Sequence, residues 1–206
     1  MRLILLTLVF TVAAAPEGPR PFSHRLHLKL VPDCTSCHAA ALASTKPGDN
    51  LLPARQLCLK CHRDVSIPVP LVVRVVHFSH AIHAKMGNIA TVIADAIDSG
   101  KYLSTVPPDL RKSLNTKNSC TGCHRGMETS DKVTRAALPQ MADCLVCHSQ
   151  ISPPDSCTKC HGDDRNLKPA NHTPDFIDTH TNPAAKLDKT GCALCHGRVF
   201  TCQGCH

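Results

Sequence analysis

Every cysteine in the chain belongs to a Cys-x-x-Cys-His unit, and there are seven such units: CTSCH, CLKCH, CTGCH, CLVCH, CTKCH, CALCH and CQGCH. The sulfurs are those of Cys34 and Cys37, Cys58 and Cys61, Cys120 and Cys123, Cys144 and Cys147, Cys157 and Cys160, Cys192 and Cys195, and Cys202 and Cys205. The histidines that follow them are His38, His62, His124, His148, His161, His196 and His206. Structural zinc draws four ligands from two pairs, and seven pairs cannot be matched evenly. A disulfide framework explains an even cysteine count but gives no reason for a His after each pair. The pattern is the covalent attachment signature of c-type haem: two thiols add across the porphyrin vinyl groups and the adjacent His supplies the proximal imidazole. The expected cofactor is seven covalently bound haem c.

That expectation changes the packing problem. The 206 residues include no Trp, only 3% aromatic residues and 16 prolines, which makes for a weak protein core. Porphyrins can supply the missing apolar interior, at about thirty residues per haem. The expected fold is mostly α and irregular, chain wrapped around a series of haems with little or no sheet. The formal charge of +7 shrinks in the same light. Each ferric haem contributes about −1, so basic residues are needed against propionates and give no argument for nucleic acid.

Residues 1–15 read as a signal peptide: a basic Arg2, an apolar run from Leu3 to Val12, and small residues at Ala13 to Ala15. The apolar run is too short to span a bilayer, and no cysteine precedes Cys34 to carry a lipid. The expected location is exported, periplasmic or extracellular, with no membrane span once the signal is cleaved.

The chain carries an internal duplication. Residues 34–62 align without a gap on 120–148, and each stretch holds two motifs with Leu-Pro (Leu52-Pro53, Leu138-Pro139) ahead of the second. Upstream lie PFSHRLH at 21–27 and HFSHAIH at 77–83. The division expected is a two-haem module at 16–66, a duplicated two-haem module at 67–148 with a helical insert at 86–117, and a three-haem module at 149–206. The insert opens with MGNIATVIADAIDSG, whose apolar residues at 86, 89, 92, 93, 96 and 97 follow a helical period ending at Gly100, an amphipathic helix covering the haems.

Seven histidines lie outside the motifs: His24, His27, His77, His80, His83, His172 and His180. Their number equals that of the motifs, and several are spaced three apart, so that neighbouring imidazoles can reach neighbouring haems. Phe-Ser-His-x-x-His ahead of paired motifs resembles the class III and related low-potential multihaem cytochromes c. The likeness covers Phe22, His24, His27 and Cys34 to His62, and again Phe78, His80, His83 and Cys120 to His148. In those proteins the two histidines are distal ligands to different haems. The resemblance implies bis-His iron, low potential and electron transfer in anaerobic or extracellular respiration, without catalysis.

Two other functions share these features: a subunit of an extracellular cytochrome filament, and a multihaem reductase with one open haem. The free histidines divide two, three and two among the modules, whereas the motifs divide two, two and three. If all seven ligate within one chain, at least one ligand must cross a boundary, and His77, which stands where the first copy has Pro21, is the candidate to reach the last module. The closing haem, on Cys202 and Cys205 with His206 as the last residue, is expected to be exposed and to serve as the contact with other redox proteins or further copies of the chain.

Overall fold

The computed structural model describes residues 22–66, 75–151, 157–162, 167, 170, 172–180, 182 and 192–196. The signal segment and the motif at Cys202 to His206 lie outside these. The described residues contain helices, turns and no strand. In chain order the helices are α1 (His24–His27), α2 (Arg55–Cys58), α3 (His80–His83), α4 (Ile89–Asp98), α5 (Leu110–Ser113), α6 (Ser119–Cys123), α7 (Met141–Ile151), α8 (Phe176–Thr179) and α9 (Ala193–His196). Short 3₁₀ turns connect several of them, including Ala39–Leu42 and Met127–Thr129.

Helices of one turn are not stable alone, and α1 and α3 are held by the same two devices. Ser23 and Ser79 cap them, each hydroxyl accepting from the backbone N–H three residues on (3.2 Å from Leu26, 3.3 Å from Ile82). Each helix is then clipped to the other copy. Arg25 N–H donates to Ser130 O at 3.0 Å, and Ala81 N–H donates to Ser44 O at 2.9 Å. Arg25 matches Ala81 in the aligned elements, and Ser44 matches Ser130 in the aligned repeats. The two bonds are therefore one contact made twice, in opposite directions. On one side it is reinforced by Asp131, which accepts from Ser23 Oγ (2.5 Å) and from Arg25 Nε and Nη2 (3.1 and 2.9 Å).

The insert breaks this near-symmetry and carries the protein's own core. Ala90, Ile93 and Ala94 of α4 pack with Tyr102, Leu114 and Ala142, and Leu194 of α9 joins from the C-terminal section. Helix α4 is shorter than the periodicity implies. Gly87 has φ +83°, which ends the preceding turn, and Asn88 caps the helix by accepting from Ala90 N–H at 3.1 Å. Met86 therefore falls outside it and is exposed. Where α4 crosses α6, a Cβ on Gly122 would stand 3.0 Å from Ala90 N. Only glycine lets these helices approach so closely; the first copy has Ser36 at this position and no helix over it. The other side of α4 faces an open cleft of about 340 Å³, lined by Val92, Asp95, Ala96, Ser99, Lys101, Val146 and Cys147.

Candidate haem-binding site

A Cys-x-x-Cys-His unit closed into one helical turn brings residues i, i+3 and i+4 to one side. The chain does this in both copies and in the C-terminal section. His N–H bonds the carbonyl of the first Cys at 2.9 Å in Cys34–His38, 3.0 Å in Cys58–His62, 2.8 Å in Cys120–His124 and 2.9 Å in both Cys157–His161 and Cys192–His196. The unit at Cys144 lies within α7. None of the twelve described cysteines is in a disulfide, and among the described residues no three His, Cys, Asp or Glu side chains converge as zinc requires.

The histidine rings carry the decisive geometry. Centroids lie 6.3 Å apart for His24 with His38, 6.0 Å for His27 with His62, 6.3 Å for His80 with His124, 6.3 Å for His83 with His148, and 6.3 Å for His172 with His196. Rings in van der Waals contact would be closer. Two metal–imidazole bonds of about 2.0–2.1 Å between two rings, with half a ring added on each side, give a separation of about 6.2 Å. In each pair one ring belongs to a motif and the other is free of one, and within each copy the first His of the Phe-Ser-His-x-x-His element meets the first motif and the second meets the second.

The ring nitrogens point the same way. His38 Nδ1 lies 2.7 Å from Leu51 O, and His124 Nδ1 lies 3.2 Å from Ala137 O at the matching position. His27 and His83 reach the carbonyls of Ser23 and Ser79 at 2.7 and 2.8 Å. His180 does the same with Phe176 O at 2.9 Å. A carbonyl can only accept, so Nδ1 carries the proton in all five and the Nε2 lone pair is left for a metal. The buried Nδ1 atoms of His24 and His80 have no protein partner. A porphyrin propionate would be a chemically suitable acceptor. Burial and neighbouring imidazoles lower the pKa values of His24 and His80, and burial lowers that of His124, which favours the neutral, ligating ring.

Phenylalanines order these rings. Phe22 stacks on His27 (4.3 Å, 21°) and Phe78 on His83 (4.5 Å, 21°), and each meets the earlier His edge-on. Phe176 stacks on His172 and His180 together, at 4.5 and 5.1 Å. The role of Phe176 was not expected from sequence; its only signal is a Phe between two histidines, with spacing unlike the other two elements. His77 is exposed. The motifs at Cys120 and Cys144 have their ring pairs in His80 and His83, and Val76, next to His77, donates its N–H to Cys160 O at 2.8 Å.

Several described motif sulfurs lie near those of other motifs. The pKa of Cys37 is raised by burial and then by Cys58, and that of Cys120 by burial and then by Cys34. Asn118 joins the latter two, donating to Cys34 Sγ (3.4 Å) and accepting from Cys120 N–H (2.9 Å). Cys144 is pushed up to about 11 by burial, Asp143, Cys123 and Cys160, and Cys195 is raised by burial and by Cys157.

A family model described as outer membrane cytochrome MtrC/MtrF-like, domains II/IV, matches residues 31–206. The chain belongs to that family. No curated protein and no solved structure matches it. As an MtrC/MtrF-like cytochrome it is an exported multihaem c-type electron-transfer protein. No helix among the described residues is long and apolar enough to cross a membrane.

Proposed function

We propose that the chain binds seven haems c, each between two histidines, and conducts electrons along them. The observation that carries this reading is the set of five ring pairs at the spacing of an iron bound on both sides. The distal ligands on this reading are His24, His27, His80, His83 and His172 for the motifs ending at His38, His62, His124, His148 and His196. His77 and His180 serve the motifs at His161 and His206. The modules at 16–66, 67–148 and 149–206 are the units of attachment. Bound haem supplies one-electron exchange between ferric and ferrous iron, at low potential with two imidazoles. The chain's part is to hold the rings, exclude water and fix the order of attachment points.

That order runs from Cys58/Cys61 to Cys34/Cys37, across Asn118 to Cys120/Cys123, then to Cys144/Cys147, Cys157/Cys160 and Cys192/Cys195. Other redox proteins are the partners of such a chain. The test is iron analysis and mass spectrometry of the intact protein with electron paramagnetic resonance of the oxidised form. Seven irons, all low-spin, are expected; six or fewer with an empty motif, or a stoichiometric high-spin signal, overturns the reading.

A further inference from the structure

Between α4, α6 and α7 lies a buried polar cluster that haem attachment does not require. Asp143 is 6% exposed and Tyr102 4%. Asp143 Oδ2 accepts from Arg125 Nη2 at 2.5 Å and from Gln140 N–H at 2.7 Å, and Oδ1 accepts from Tyr102 Oη at 2.9 Å. Arg125 also donates to Gly122 O at 3.1 Å. Asp143 immediately precedes Cys144, and Arg125 immediately follows His124. In the first copy the matching positions are Leu57 and Ala39, and Tyr102 belongs to the insert, which that copy lacks. Two pairs of attachment points related by the duplication thus stand in different electrostatic surroundings.

We infer that Asp143, held as a buried carboxylate by Arg125, Tyr102 and Gln140, makes the iron at Cys144/Cys147 harder to reduce than its counterpart at Cys58/Cys61. This rests on the seven-haem reading. A fixed negative charge stabilises ferric over ferrous iron, and in a buried setting it is little screened. Arg125 offsets it unequally. Asp143 directly precedes Cys144, whereas Arg125 directly follows His124 at the motif before, so the carboxylate stands nearer the second attachment point than the guanidinium that pairs with it. A different ion pair lies beside the first copy's second motif, Arg55 with Asp64 at 2.6 Å, and with Asp64 86% exposed it is screened by solvent. The hydrogen bonds of Asp143 go to Tyr102, Arg125 and Gln140; on this reading it acts on the iron through charge alone, as a positioning residue.

The experiment is a potentiometric titration of the loaded full chain, followed through its low-spin resonance components, for wild type, Asp143→Asn, Asp143→Glu and Asp64→Asn. Asp143→Asn moves one component toward easier reduction, with the ferrous to ferric ratio at fixed potential up about tenfold, equivalent to about 59 mV for one electron. Asp143→Glu restores it and Asp64→Asn leaves all components in place. No movement in Asp143→Asn, or equal movement in Asp64→Asn, overturns the inference. If Asp143→Asn fails to load, Tyr102→Phe decides: losing a donor to the carboxylate must move a component toward harder reduction, and an unmoved titration counts against it. Failure of the underlying reading looks different, as wild-type protein short of seven irons or partly high-spin.

Discussion

His27 and His83, proposed as distal ligands, owe that use to what the second ring nitrogen does. Nδ1 of His27 and His83 is bound to a carbonyl four residues back, the ring rests on a phenylalanine, and Nε2 is left to face the motif ring. Replacing His27 by Ala should therefore leave the iron count unchanged, because the thioethers hold the porphyrin, while one low-spin signal becomes high-spin. Resonance spectra against iron analysis check both halves. Changing Phe176 to Ala should disturb two components at once, since that ring supports both His172 and His180. The motif sulfurs and their histidines were readable without coordinates, because covalent attachment demands those residue types at that spacing. Which free histidine meets which motif was not, since ring pairing depends on where three short helices dock. The buried carboxylate of Asp143 gave no sign either, because one Asp beside a cysteine looks like any solvated Asp.

At the level of elements, the period-3.6 pattern found the one long helix of the insert but misjudged its start and part of its buried face. Met86 counted as apolar, yet the positive φ of Gly87 separates it from α4, and Val92 faces the cleft beside Cys147. Ala90 was too small to register in an apolar stripe, but its smallness and that of Gly122 set the α4–α6 crossing. Gly122→Ala should cost about 1–3 kcal/mol through overpacking against backbone, with Ser36→Ala close to neutral in the same thermal melts. The clip at Asp131 carries a pH signature. Hydrogen bonds from Arg25 and then Ser23 hold its carboxyl below the ordinary range. Its contribution is thus present above the unfolded pKa and lost as pH falls through the lower folded value. Wild type and Asp131→Asn should differ in melting near neutrality and converge in acid below about pH 4.

For the molecule as a whole, composition foretold a meagre interior, and the core found among the described residues is one small cluster of Ala90, Ile93, Ala94, Tyr102, Leu114 and Ala142. Most order elsewhere must come from the cofactors. Dialysis against a strong chelator should leave the circular dichroism of the loaded protein unchanged, whereas a zinc-held chain would unfold. Cys34 and Cys120 meet at Asn118 where the copies join, so the first and third motifs are neighbours although Cys58 and Cys61 lie between them in the chain. The paired clips from Arg25 to Ser130 and from Ala81 to Ser44 give that junction a history. A contact in which a patch on each partner receives the same patch from the other is isologous, the mark of a two-fold dimer. Two separate chains of the size of one copy would make both bonds between them with no connector at all, so these two clips join the copies as a homodimer's subunits are joined, on one shared backbone.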